Sequence, residues 1–530
     1  MNVLILLVAA VILLCVVVEK FSDRFGMPAL IFFMFIGMIF GSDGIMKIPF
    51  DDFKMAENIC SIALIFIMFY GGFNTKWQAA KTVAVKSILL STLGVVITAG
   101  ITMLLCKFIL AMPWGESFLI GAVLSSTDAA SVFAILRKNN LNLKDGTASI
   151  LEVESGSNDP VSYLLTIVAV SVATTGGFGN VFGTIAVQLL MGVAVGIVLA
   201  KITLHILMKT NLVSDGLDTI FMIASVLVCY GLTAFLGGNA YLSVYLFGIY
   251  TGNHRIRKKQ EIIPFFDGVT SLAQILIFFL IGLLTFPHQM TEIIPTALAV
   301  VVFITLFARP VAVFFLLKPL KCSWNQCLLI AWAGLRGASS SVFAITAVAA
   351  GVSMTQDLFH IVFMVSLFSV AIQGTLLPNV SKLLDMVDDN ADVRKTFNDY
   401  QEEAVFQLMK LHIPDGHKWI NRMVKDVTMP TGSLALMIKR NGSSIIPKGD
   451  TLIMAGDDMI LSVPPYNPSE SENLEERIIE KDDSWCNKAI SELKIPKHKL
   501  IAMVIRESQP IIPTGKTIIL ENDVVVFISV

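Results

Sequence analysis

Charge is what this sequence has least of. Asp, Glu, Lys and Arg make up 15% of its 530 residues against 55% hydrophobic ones, and mean hydropathy is +0.74. That scarcity excludes a soluble globule and points to a membrane protein. The charge is also uneven, thin to about residue 380 and dense beyond it. A polytopic membrane domain followed by a soluble part is the organisation implied. The formal net charge of −2 gives no reason to expect a nucleic-acid partner.

Cysteines at metal or redox spacing are missing too. Cys15, Cys60, Cys106, Cys229, Cys322, Cys327 and Cys486 are scattered, mostly in apolar stretches where Cys acts as a small hydrophobe. There is no GxxxxGK[ST] loop, which argues against an ATP-driven pump, and no GxGxxG, so NAD is not implied. The opening run MNVLILLVAAVILLCVVVEK has no basic leader or small-residue cleavage site, so a retained first span starting outside is expected. Histidines are few, and His360, inside an apolar run, is expected to be packed or hydrogen-bonded. Nothing in these patterns suggests an enzyme.

What is there is apolar length. Runs at 2–19, 28–46, 56–73, 84–110, 116–137, 147–174, 182–207, 217–237, 240–252, 267–286, 293–318, 325–350 and 356–378 predict about thirteen spans. The short ninth is needed for the loop charges to alternate. With it, Lys20/Arg24, Lys76/Lys81/Lys86, Arg137/Lys138/Lys144, Lys209, the His254–Lys259 cluster and Lys318/Lys321 all fall on one side. That side is the cytoplasm by the positive-inside rule, which puts the C-terminal part there as well.

Three spans contain residues that do not belong in lipid. The sixth carries LEVESGSNDP, Leu151–Pro160, with Glu152, Glu154 and Asp159 beside Asn158. Carboxylates at membrane depth cost several kcal/mol and mark functional sites. On a helix Ser155 and Asp159 share one stripe, while Glu154 and Asn158 share the next. Pro160 has no N–H, so the Gly156 carbonyl loses its helical donor. Such a set of oxygens without thiolates suits a hard cation or a proton. The fifth span carries LSSTDAASVF around Asp128, and the twelfth AGLRGASSSVF around Arg336. Their serines alone suit close helix packing, but a buried aspartate and a buried arginine need partners. The two breaks lie seven spans apart. Spans four to six and eleven to thirteen thus read as inverted repeats with discontinuous helices crossing at the midplane.

STDAAS, ESGSNDP and GLRGA, in that order, resemble the NhaP-type branch of the cation:proton antiporter-1 family over the whole membrane domain, 1–380. The form ESGSNDP is closer to that group's potassium/proton antiporters. Tyr70 stands where many members carry an acidic residue. The resemblance implies a homodimer, with helices 1–3 and 7–10 on the interface side and a mobile six-helix core. It implies that Asp159 holds a proton or a monovalent cation in turn, with Asn158 as its hydrogen-bonding neighbour. Thr127, Asp128 and Ser155 would supply further oxygen ligands, and Glu154 would pair with Arg336.

Beyond a polar linker at 381–403, the chain repeats at a period of about 66 residues. Trp419/Trp485, Pro447/Pro513, Gly449/Gly515 and Asp457/Asp523 all match at it. Each copy, 404–466 and 467–530, reads as strand, helix, strand, turn, strand. The pattern IIPxGxTxxxxxD resembles the RCK_C (TrkA-C) domain in tandem. That implies a regulatory or dimerising module, with cyclic di-AMP as a candidate nucleotide second messenger.

The function expected is electroneutral exchange of K⁺ (or Na⁺) for H⁺ in the cell membrane. An Na⁺/H⁺ antiporter with a purely structural C-terminal part is the alternative. A ligand-gated cation channel is a further one, since RCK modules also serve channels, but no filter sequence is present. A non-transporting sensor is disfavoured by the complete set of ion-site residues.

Overall fold

Apolar runs become helices wherever the backbone has only itself to bond with, and the fold starts from that requirement. The computed structural model describes residues 2–25, 28–139, 141–175, 181–209, 216–254, 256, 259–352 and 354–388 of the membrane part. Of the C-terminal part it describes 407–427, 429, 433–440, 443–463, 473–479, 485–486, 488–493, 499–506, 509–511, 513–515, 517–520 and 523–529. The chain forms two compact units, Met1–Tyr400 and Gln401–Val530.

In the first unit the helices are α1 (Asn2–Phe25), α2 (Ala29–Phe40), α3 (Phe53–Asn74), α4 (Trp77–Leu89), α5 (Val95–Phe108), α6 (Trp114–Val123), α7 (Ala129–Lys138), α8 (Thr147–Thr175) and α9 (Val181–Lys209). They continue as α10 (Asp218–Phe235), α11 (Ala240–Gly252), α12 (Lys259–Leu283), α13 (Pro287–Phe303), α14 (Arg309–Leu317), α15 (Trp324–Trp332), α16 (Ala338–Ala349), α17 (Leu358–Phe368) and α18 (Thr375–Leu383). π-helical turns, Leu90–Gly94, Ile304–Ala308 and Ser369–Gly374, join α4 to α5, α13 to α14 and α17 to α18. Counting those joined pairs as one, and α6/α7 and α15/α16 as broken spans, the described residues hold the thirteen spans expected. Among the described residues, seven helical stretches are long and apolar enough to cross a membrane by length and composition.

The two repeats match in their irregularities. Spans four and eleven each carry a π-helical turn, and spans five and twelve each break at the middle. In the third position they differ: Pro160 lies inside the continuous α8, and span thirteen carries a π-helical turn. A π turn carries an extra residue and frees a backbone group, which is why such turns gather at functional sites.

The ninth span, α11, has 13 residues, about 20 Å of helix where about 30 Å is needed to cross. Close packing holds it instead. A side chain at Gly72 or Gly248 would strike the facing backbone of α11 or α3, so these helices meet backbone to backbone. The α11 start is fixed by Asn239, whose side chain accepts from Leu242 N–H at 3.0 Å. His360 is buried and hydrogen-bonded, accepting from Phe286 N–H at Nε2 (2.9 Å) with Nδ1 2.6 Å from Asp357.

In the second unit each repeat is an antiparallel sheet. The first contains β1 (Gln407–His412), β2 (Leu434–Arg440), β3 (Ser443–Ile445) and β4 (Asp458–Val463), ordered β1-β4-β2-β3. The second contains β5 (Asn473–Ile478), β7 (Lys499–Arg506), β8 (Gln509–Ile511) and β10 (Val524–Ser529), ordered β5-β10-β7-β8, with a small β6–β9 pair (Lys488–Ala489, Ile518–Ile519). Core positions correspond at the same period: Ile413/Ile479, Ile438/Val504, Ile453/Ile519 and Met459/Val525. So do the ion pairs. Arg440 grips Asp457 at 2.7 Å, and Arg506 grips Asp523 at 2.8 Å. Among the described residues the expected helix of each copy is a single 3-10 turn, Val424–Asp426 or Ile490–Glu492. Of the expected linker, α18 takes residues up to Leu383, and 389–403 lie outside the described residues.

Candidate functional site

Two unwound segments, 124–128 and 333–337, cross beside α8. Asp128 N–H donates to Leu335 C=O at 2.8 Å, so one broken helix closes part of the other's unpaired backbone. Ser126 Oγ lies 3.0 Å from Ser340 Oγ across the same crossing. Gly337 is required there, because a Cβ would fall on the Asp128 carboxylate. Asp128 itself caps α7, accepting from Ser131 N–H at 3.2 Å and Ser131 Oγ at 2.5 Å. An acidic cap at a helix N-terminus is satisfied by orphan N–H groups and by the helix dipole.

α8 presents its polar turn to this crossing. Ser155 Oγ donates to the Thr127 carbonyl at 2.6 Å, and Asn158 Nδ2 donates to Thr127 Oγ1 at 2.5 Å. Asp159 is buried, 4% exposed, and its Oδ2 accepts from Ser339 Oγ at 2.6 Å in the first turn of α16. Among the described residues its Oδ1, and the Oδ1 of Asn158, have no hydrogen-bond partner. A buried acceptor without a donor is costly. Pro160 leaves its own carbonyl to accept from Asn239 Nδ2 at 2.8 Å, tying α8 to the start of α11. Gly156 lets Tyr245 of α11 come close: a Cβ would sit 2.7 Å from the tyrosine ring.

Thr127, Ser155 and Asn158 are thus directly linked, with Asp159 beside them on α8 and Asp128 adjoining Thr127 in the chain. The expected pairing of Glu154 with Arg336 is corrected. Glu154 is fully buried and pairs with Arg309 at the start of α14, Nη2 to Oε2 at 2.7 Å. Arg336 instead donates to the Ser126 carbonyl, and its backbone N–H donates to Ser369 Oγ at 3.0 Å. The reason is geometric. An arginine in an unwound segment lies beside orphan carbonyls, and Arg336 satisfies one of them. Glu154 sits one turn before Asn158 on the stripe reached by α14. Arg309, inside the apolar run FARPVAV, carried the signal of a charge at membrane depth. Ser339 carried none that separates it from packing serines. Tyr70 OH donates to Asp267 Oδ1 at 3.2 Å.

The family described as "Sodium/hydrogen exchanger, transmembrane" matches residues 7–383, and "TrkA-C domain" matches 408–467 and 474–529. A protein named K(+)/H(+) antiporter NhaP from Alkalimonas amylolytica is 31% identical over 465 residues, covering 87% of this chain and 81% of that one. A K(+)/H(+) antiporter NhaP2 from Shewanella baltica is 31% identical over 449 residues, covering 83% and 77%. The solved structure of the sodium proton antiporter MjNhaP1 from Methanocaldococcus jannaschii at pH 8 shares the fold. Its TM-score is 0.64 at 22% identity, covering 72% of this chain and 99% of that one.

Proposed function

This chain belongs to the sodium/hydrogen exchanger family of multi-pass membrane cation/proton antiporters, and from that premise we propose that it exchanges K⁺, in preference to Na⁺, for H⁺ one for one, with Asp159 as the shared site. The observation that carries this reading is the buried Asp159 carboxylate at the crossing of the two broken helices. One oxygen is held by Ser339 and the other lacks a donor. K⁺ as cargo is supported by the relatives that match most of the chain, which are named K(+)/H(+) antiporters.

The chemistry is competition. A charged Asp159 holds the cation, with oxygens of Thr127, Ser155 and Asp128 completing its coordination. A protonated Asp159 has no charge to offer it. Each passage of the core across the membrane therefore carries one or the other. Asn158 is uncharged, so a single elementary charge is exchanged in each direction and the cycle is electroneutral. Glu154 is already neutralised by Arg309 and takes no part in the exchange. Alternating access by a core built of the two repeats, in a homodimer held through spans one to three and seven to ten, fits this reading. So does a membrane orientation with the start outside and the TrkA-C pair in the cytoplasm.

We assign the TrkA-C pair a regulatory role, with cyclic di-AMP as its candidate ligand. Titrating the purified full chain with cyclic di-AMP in a calorimeter tests it. Heat saturating at one ligand per pair is expected, and no heat at high concentration assigns the pair to structure alone.

The transport test uses proteoliposomes loaded with a pH-sensitive dye. Added K⁺ is expected to dissipate a preset pH gradient, Na⁺ to do so more weakly, and Asp159→Asn to abolish both while staying monodisperse. Undiminished exchange in Asp159→Asn removes the site assignment.

A further inference from the structure

Three consecutive serines open α16, and their hydroxyls go to different elements. Ser339 donates to Asp159 of α8 at 2.6 Å. Ser340 lies 3.0 Å from Ser126 in the 124–128 segment. Ser341 donates to the Gly337 carbonyl at 3.3 Å and lies 3.5 Å from Ser366 of α17. Successive helical residues point about 100° apart, so three in a row fan across three neighbours. Ser340 and Ser341 bond groups that stay neutral. Ser339 alone of the three meets a carboxylate.

A hydroxyl suits a partner that changes protonation. It donates to a carboxylate, and after rotation of its O–H it accepts from a carboxylic acid. A lysine in its place, a donor with nothing to accept, would serve only the charged state. The contact is to Oδ2, and Oδ1 has no hydrogen-bond partner among the described residues.

We propose that Ser339 is a positioning residue for the exchange. It holds the Asp159 carboxylate in register, couples the second broken helix to that group's charge state, and sets the pH range over which cation and proton compete. This rests on Asp159 being the shared site. The other groups facing Asp159 are Ser126 and Asp128 of the 124–128 segment, Glu154 on α8 with its partner Arg309 of α14, and Tyr245 of α11. Arg336, across the break, is engaged with the Ser126 carbonyl. Removing the Ser339 hydroxyl leaves all of these in place.

The sign follows from which state the bond favours. Donation to the charged form stabilises it against the proton. Without the donor the proton competes better. In Ser339→Ala the pH profile of K⁺/H⁺ exchange is expected to move to alkaline pH by about one unit, with the apparent KM for K⁺ at pH 7 rising roughly tenfold. The maximal rate at high pH should be retained. Ser339→Thr, which keeps the hydroxyl, should restore the wild-type profile, and Ser339→Cys, a weak donor, should fall between.

The measurement is dye-reported exchange in proteoliposomes across a pH series, with Asp159→Asn run alongside. If Asp159→Asn is dead and Ser339→Ala keeps the wild-type profile and KM, the role of Ser339 is overturned while the site stands. If Asp159→Asn still exchanges, the site assignment fails first. Should Ser339→Ala not be recovered folded, the Thr and Cys variants decide: identical profiles overturn the proposal, and a graded alkaline shift supports it.

Discussion

The Glu154–Arg309 pair shows what a single buried charge demands. Both side chains are almost fully buried, 1% and 2% exposed. Removing one partner of such a pair leaves an uncompensated charge, at a cost of about 3–5 kcal/mol. Arg309→Ala is therefore expected to lower the melting temperature of the detergent-solubilised protein sharply. Replacing both partners together, Arg309→Met with Glu154→Leu, should recover most of the loss. Arg336→Ala should cost less, because Glu154 keeps its partner and only the Ser126 carbonyl loses a donor. Equal losses in Arg309→Ala and Arg336→Ala would show that the pairing has been misread.

At the scale of elements, the site depends on two interrupted helices staying in contact. Among the described residues the contact is made by one backbone hydrogen bond from Asp128 to Leu335, the Arg336 guanidinium on the Ser126 carbonyl, one serine pair, and Gly337 packed on Asp128. Gly337→Ala forces a methyl group into the Asp128 carboxylate. Overpacking of that kind costs about 1–3 kcal/mol, and here it also parts the two unwound segments. Exchange is expected to fall at least about tenfold, the factor that 1.4 kcal/mol corresponds to. Gly71→Ala, where nothing lies within 4 Å, should keep the wild-type rate. Measuring both rates in the same vesicle assay separates a general dislike of alanine from a specific clash.

At the scale of the whole molecule, two predictions concern separate units. Electroneutral exchange in the membrane unit means that an imposed potential leaves the initial rate of gradient dissipation unchanged. A rate that follows the potential would require a second charge, and Asp128 would be its source. In the C-terminal unit, Asp457 and Asp523 are buried and arginine-bound. Donation from Arg440 holds the Asp457 carboxyl below the usual carboxylate range. Burial pushes the Asp523 carboxyl up, but donation from Arg506 and from Leu520 N–H outweighs it, and the net direction is down. A carboxyl lowered in the folded state stabilises the fold above the unfolded value of about 3.9, and that stability is lost as pH falls through the folded value. Hydrogen exchange of peptides from 407–529 in the full chain should be independent of acid-induced opening above about pH 5. Below about pH 4 protection should fall, and Asp457→Asn should lose protection in the first repeat even at neutral pH.

The sequence by itself determined the membrane character, the thirteen spans, the two breaks and the doubled C-terminal repeat. Each of these rests on chain-local physics: apolar length, charges that cannot lie in lipid, and residues recurring at a fixed period. The polar turn Glu154–Pro160 was legible for the same reason. Partners across the fold were not. That Glu154 takes Arg309 rather than Arg336, that Ser339 rather than either neighbouring serine reaches Asp159, and that Gly156 makes room for Tyr245 depend on which faces of distant helices meet. A rotation of α16 by one residue would hand the Asp159 contact to Ser340. Only tertiary packing fixes that angle, because local sequence sets a helix but not its azimuth.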